Sequence, residues 1–153
     1  MRGKIHGIWL TNSGGKLHDA IIPNLSSYVQ EASSNNFTIE LWTNINELAQ
    51  TEIDQLRLNS IIVRDHSECQ TSSFYKYFLY FLEKGLQGDK AAFALASDIL
   101  RMAILELTPE DQYFIYFDPN DVVFANLNDS LKELDNRNNL LGLSFHIDLA
   151  PTL

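Results

Sequence analysis

The chain of 153 residues contains a single cysteine, Cys69, so no intrachain disulfide can form and no cysteine-based zinc site can be assembled. Its lone thiol reads as a semi-buried inert side chain. Basic residues are also scarce: 11 Lys and Arg stand against 20 Asp and Glu, a formal net charge of −9. Such a balance disfavours a sequence-independent grip on nucleic acid or on an anionic membrane surface. An anionic ligand would need a bridging cation or a local basic group. No window approaches the roughly 18 apolar residues of a membrane span, and the start, Met1 to Leu10, has too few apolar residues for a signal h-region. Repeats and low-complexity tracts are absent. These absences predict a soluble protein, folded in a reducing compartment and cytoplasmic as synthesised, with one domain over residues 1–153.

What is present begins with a short β-type run, Lys4 to Leu10, that ends at Trp9 and meets the loop Thr11-Asn12-Ser13-Gly14-Gly15. An aromatic residue delivered into a glycine-containing loop can build a nucleotide pocket, and it can equally just end a strand. Neither the dinucleotide fingerprint nor a phosphate loop is present, because the third glycine and a Gly-Lys-Ser/Thr are missing. His18 to Ala32 has a helical period, with Pro23 near its start. Phe37 to Trp42 alternates as a second strand. Asn44 with Glu47 has capping-box spacing, which predicts a helix starting there with Ile45, Leu48, Ile53, Leu56 and Leu58 on its apolar face. Ser60 to Val63 is a third strand, and Arg64 to Cys69 reads as a solvated polar loop.

Ser72 or Ser73 caps an aromatic helix, Phe74 to Leu82, that ends at Gly85 or Gly88, and Asp89 caps the next helix, Ala91 to Leu105. That helix is almost wholly apolar except for Ser97, Asp98 and Arg101, which share one arc of about 100°. An unpaired charge in an apolar helix costs several kcal/mol, roughly, unless something compensates it. The arc therefore either faces solvent, with an Asp98 to Arg101 ion pair, or lines a cavity. Gln112 to Phe117 is a buried strand stopped by Asp118-Pro119-Asn120-Asp121. Residues two apart in an extended segment point the same way, so Asp118 and Asn120 can present two oxygens to one hard cation, Mg²⁺ or Mn²⁺. Asp121 joins them only if the chain turns. A polar helix near Asn128 to Asn136 and a strand Leu140 to Ile147 close the sequence.

Strands alternating with helices predict an α/β fold: a mostly parallel Rossmann-like sheet with helices on both faces and the binding site at the carboxyl ends of the strands. Trp9, Asn44, Asp65 and Asp118 all fall at such ends.

Four stretches carry a resemblance: Ile5-His6-Gly7-Ile8-Trp9-Leu10, Leu41-Trp42-Thr43-Asn44, Ala96-Ser97-Asp98-Ile99-Leu100-Arg101 and Tyr116-Phe117-Asp118-Pro119-Asn120. Over roughly residues 4 to 124 the chain resembles the Asp-X-Asp glycosyltransferases of the GT-A fold, in the branch of the clostridial glucosylating toxins, bacterial effectors and related sugar transferases. The resemblance implies a nucleotide-sugar donor, UDP-linked, Mn²⁺ or Mg²⁺ as cofactor, a protein or other acceptor, and export as an effector into a host cell. It implies that Trp9 stacks on the base and Asn44 helps hold the nucleoside. Asp98 and Arg101 would contact the donor sugar, and Tyr116 would lie near the ribose and phosphates. Asp118 would bind ribose or metal, with Asn120 standing where the second aspartate of the motif ligates the metal and Asp121 as a substitute.

The sequence departs from that pattern in three places. Thr108-Pro109-Glu110-Asp111-Gln112 replaces paired glycines, Asn120 carries no charge, and only about 30 residues follow Asp121. Fewer residues than that family uses for its acceptor side remain, so the nucleotide-binding part reads as truncated or reduced, with His146 and Asp148 as the late ligand candidates. Two other readings stand beside the enzyme. One is the same fold used as an inactive nucleotide- or protein-binding module. The other is a haloacid-dehalogenase-like phosphatase with Phe117 to Val122 as nucleophile loop, which would need a Lys and further acids after it, where only Lys132 follows.

Overall fold

A computed structural model describes residues 1–120 together with Asn128, Asp129, Lys132 and Asn136, which are helical. The chain divides into two compact units, Met1–Val123 and Phe124–Leu153. The first carries everything below. The expected strand Leu140 to Ile147, with His146 and Asp148, and the acid Asp121 lie outside the described residues.

Four strands form one parallel sheet: β1 (Gly3–Trp9), β2 (Phe37–Thr43), β3 (Ile62–Asp65) and β4 (Tyr113–Tyr116), in the order β3-β2-β1-β4. The helices are α1 (Ile21–Ser26), α2 (Val29–Ser34), α3 (Gln50–Leu58), α4 (Tyr75–Leu86) and α5 (Lys90–Leu107). β1 is central, with Ile5 beside Ile39 and Ile115, and His6 beside Glu40 and Tyr116. Alternation sends Ile8 and Trp42 to one face, where they pack with Phe78 and Leu82 of α4 and Ala96, Leu100 and Ala103 of α5. Ile5, Ile39 and Leu41 point to the other face, where α2 packs on β2 and α3 on β3. Helices thus cover both faces, as expected of a parallel sheet.

Several local expectations need correction. The helix read over His18 to Ala32 is two short pieces, α1 and α2, parted at Ser27 and Tyr28. The helix expected from Asn44 begins only at Gln50, because the Asn44 amide is committed elsewhere, as described below. Leu58, assigned to its apolar face, is 76% exposed. The N-cap of α4 is Phe74 rather than the expected Ser72 or Ser73; the Ser72 hydroxyl still accepts from Phe74 N–H (3.1 Å) at the helix entrance, while both serine hydroxyls donate to the Glu106 carboxylate at the far end of α5. Asp89 does cap α5, accepting from Ala91 N–H. Nor is α5 buried all round: Leu95, Met102 and Leu105 are exposed, and only one stripe enters the core. Arg64 to Cys69 is more ordered than a polar loop, since His66–Cys69 is a 3-10 turn with a capping box between Asp65 and Glu68. No described helix is long and apolar enough to cross a membrane.

A buried polar group sits beneath α4 and α5. Glu40, with no exposed surface, accepts from Arg64 Nη2 at 2.8 Å and has Lys4 Nζ at 3.6 Å. His6 accepts at Nδ1 from Trp42 Nε1 (3.0 Å), which places the ring proton on Nε2, and stacks on Phe114 with 4.9 Å between centroids. Burial, aided by Lys4 and Arg64, lowers the His6 pKa from 6.5 to about 3, so the imidazole is neutral. The unfolded chain then binds a proton that the fold rejects, and stability falls as pH drops from about 6.5 toward 3. Between pH 7 and about pH 4.5 this one residue should cost the wild type roughly 2–3 kcal/mol. Urea titrations at those two pH values check this: the loss should be clearly smaller in His6→Gln, and an equal loss in both proteins would contradict it.

Candidate functional site

In a sheet ordered β3-β2-β1-β4 the chain steps outward from β1 to β2 and β3, then crosses back through α4 and α5 to place β4 on the other side of β1. A crevice opens at the carboxyl ends of the two strands where the order reverses. The cleft is found there, about 590 Å³ in volume, between the end of β1, the end of β4 and the length of α5. Trp9, Thr11 and Asn12 form the β1 wall. Lys90, Phe93, Ala94, Ser97, Asp98 and Arg101 form the α5 wall, and Tyr116, Asp118 and Asn120 the β4 wall.

Arg101 is the hinge between two of these walls. Its guanidinium carbon lies 3.8 Å from the centre of the Tyr116 ring, close enough for a strong cation–π contact, and its Nη2 donates to Asp98 Oδ1 at 3.2 Å. Both alternatives for the polar arc of α5 are therefore realised at once: the i, i+3 ion pair exists, and it lines a cavity. Asp98 and Arg101 are 68% and 39% exposed, so the pair itself adds only a few tenths of a kcal/mol, roughly. Its importance is placement. Arg101 Nε is buried without a hydrogen-bond partner, a donor still to be satisfied. Burial raises the Tyr116 pKa and Arg101 opposes that rise, so the phenol stays protonated.

Trp9 is half-buried. Its indole Nε1 donates to Lys16 O at 3.1 Å and its ring meets His18 edge-on, leaving a face for the cleft. At the other wall the chain turns after β4: Asn120 N–H approaches Asp118 Oδ1 at 3.4 Å, and Pro119 folds back over β1. The close approach is at Gly7. A Cβ on Gly7 would stand 3.3 Å from the Pro119 side chain. Asn24 Nδ2 holds the Pro119 carbonyl at 3.3 Å.

Of the residues singled out from the sequence, Trp9, Asp98, Arg101, Tyr116, Asp118 and Asn120 come together in this cleft. Asn44 is not among its lining residues. It is fully buried behind the β1 loop, accepting from Thr11 N–H (3.0 Å) and donating to Thr11 O (2.7 Å). Sequence reasoning placed Ser97 on the arc that lines the cleft, and missed Asn12, Lys90 and Phe93 as wall residues. The helical arc that flagged Asp98 and Arg101 continues back along α5 to Phe93, one turn before Ser97, and to Lys90, two turns before it. Among the described residues no group of three or more His, Cys, Asp or Glu could hold a metal ion.

No protein-family model matches the sequence, and no curated protein does. Among solved structures the chain is similar to one titled PaToxG Glycosyltransferase, with a TM-score of 0.57 and 15% sequence identity over 78% of this chain. The fold is thus one that a glycosyltransferase uses. The match covers 42% of that structure's chain, so the present chain spans less than half of its length.

The glycine under the turn gives a direct test of how the cleft is built. Gly7→Ala brings a Cβ to 3.3 Å from Pro119, so the turn should shift by a few tenths of an ångström. In amide NMR spectra the residues around Asp118 and Asn120 should shift most while α4 stays put; shifts spread evenly over the sheet would contradict the contact.

Proposed function

We propose that the cleft binds a nucleotide sugar, UDP-linked, and that the domain takes part in metal-assisted transfer of its sugar to a protein or other acceptor. The observation that carries this reading is the convergence in one cleft of an aromatic face, Trp9, and a cation stacked across to the neighbouring wall, Arg101, beside the Asp118 turn. The aromatic residues Trp9 and Phe93 suit a planar base. Arg101, with an unsatisfied buried Nε, suits phosphate or sugar oxygens, and Asp98 accepts sugar hydroxyls. The similarity to a glycosyltransferase structure supports the fold on which such a site sits.

A divalent cation fits the chemistry of the Asp118 turn. Asp118 and Asn120 line the cleft and offer a carboxylate and an amide oxygen, the hard donors that Mg²⁺ or Mn²⁺ takes. So small a protein set suits an ion that takes its remaining ligands from substrate phosphates and water. Asp118 and Asn120 would hold it, with Asp121 as a further donor. When bound, the ion supplies positive charge to the departing diphosphate. Arg101 adds charge from the opposite wall in a protein whose net charge is −9.

A second reading, a module that binds without turnover, is favoured by one residue: Asn120 is neutral where the resembling family has an acid, which weakens hard-cation binding. The two separate in one experiment. With UDP-sugars and Mn²⁺, release of UDP or transfer to a protein acceptor supports the enzyme, whereas UDP binding by calorimetry without hydrolysis supports the module. Trp9→Ala should weaken UDP binding by about 1–3 kcal/mol, and Arg101→Ala should abolish sugar transfer while the fold, read by circular dichroism, is kept. No binding of any nucleotide would overturn both.

A further inference from the structure

The loop from Leu10 to Lys16 is held by more hydrogen bonds than a surface loop needs. Thr11 is gripped on both sides of its backbone by the single side chain of Asn44. Gly15 N–H donates to both Asn12 O (2.9 Å) and Glu47 O (3.0 Å), and Gly15 O accepts from Ala49 N–H (3.0 Å). These bonds tie the loop after β1 to the segment after β2. Gly15 must lack a side chain: a Cβ there would fall on Thr11 Oγ1 and stand 2.7 Å from Asn12 O. The tied loop ends at Lys16, whose carbonyl accepts the Trp9 indole N–H.

From this geometry we propose that Asn44 and Gly15 are positioning residues, a latch that freezes the Leu10 to Lys16 loop and so fixes the plane of Trp9, and that Asn44 touches no ligand. The proposal rests on the nucleotide-sugar reading for the ligand it names, and it alters what that reading says of Asn44. Both ends of the Asn44 amide are spent on Thr11, and the residue has no exposed surface from which to reach a nucleoside. Trp9 is spent in the same way at its only polar atom. What it offers is a rigid, apolar face, so the ligand part it takes is a flat aromatic ring recognised by stacking rather than by hydrogen bonds to the indole. A ring held in place before binding loses little freedom on binding, which raises affinity without adding a contact.

The protein has two tryptophans, Trp9 and Trp42, so two indole N–H signals report separately on the loop and on the core. In Asn44→Ala the Trp9 signal should exchange faster with solvent and lose order on the nanosecond scale while the Trp42 signal stays unchanged. Affinity for UDP with Mn²⁺, by calorimetry, should fall roughly tenfold, part of the value of one base-stacking contact. Gly15→Ala, on the other side of the latch, should give the same pair of changes, and it serves alone should Asn44→Ala fail to fold. A loss of UDP affinity in Asn44→Ala with the Trp9 signal unmoved would make Asn44 a direct ligand contact and overturn the proposal. An unmoved Trp9 signal in either folded variant, whatever the affinity, overturns it too. If the wild type binds no UDP, the nucleotide reading has failed, and the indole signals still decide the latch.

Discussion

The structure depends on the register of β1. It is the central strand, hydrogen-bonded in parallel to β2 on one side and β4 on the other, and every residue of it has assigned neighbours. A slip of one position would send Ile5 and Ile8 each to the opposite face and take His6 away from Trp42 and Phe114. The same register brings the end of β1 beside the end of β4, so Trp9 and Tyr116 become walls of one crevice. It also sets Gly7 under Pro119, where the Asp118 turn closes one side of that crevice. Fold and site are set by one pairing.

Around that frame, charge is distributed in two ways. Beneath α4 and α5, Glu40 is buried, with Arg64 and Lys4 on it, beside a neutral His6. A buried carboxylate is tolerable only with partners of that kind, and such a group gives conformational definition more than stability. In the cleft, Arg101 is kept at the surface by Tyr116 beneath it and Asp98 beside it. Among the described residues, Lys90 and Arg101 are the basic ones that line the cleft.

Much of this was legible in the residues, for identifiable reasons. Strand and helix alternation gave the parallel sheet, because β-branched and aromatic runs such as Tyr113 to Tyr116 stand out between amphipathic segments. Asp89 was readable as a cap because capping is a local act. Asn44 was misread as a cap because its partner, Thr11, is distant in sequence; a side chain with donor and acceptor can serve a local helix or a remote loop, and spacing alone does not choose. Ser72 serves both, accepting from Phe74 N–H locally and donating to the distant Glu106, and Ser73 is turned to Glu106. Of the site, Trp9, Asp98, Arg101, Tyr116, Asp118 and Asn120 were found as charges or aromatics at strand ends or in an apolar helix. Phe93 and Lys90 were not, since an aromatic and a lysine on a helix look like core and solvent until the facing wall is known.

The central claim is that this cleft takes a nucleotide sugar with its base on Trp9 and its diphosphate toward Arg101 and Asp118. The most direct measurement is a crystal structure of the protein soaked with UDP and Mn²⁺. The account predicts the uracil ring lying flat on the Trp9 face, with the diphosphate within reach of Arg101 and the ion on Asp118. UDP bound with its base away from Trp9, or outside the crevice between β1 and β4, would contradict it.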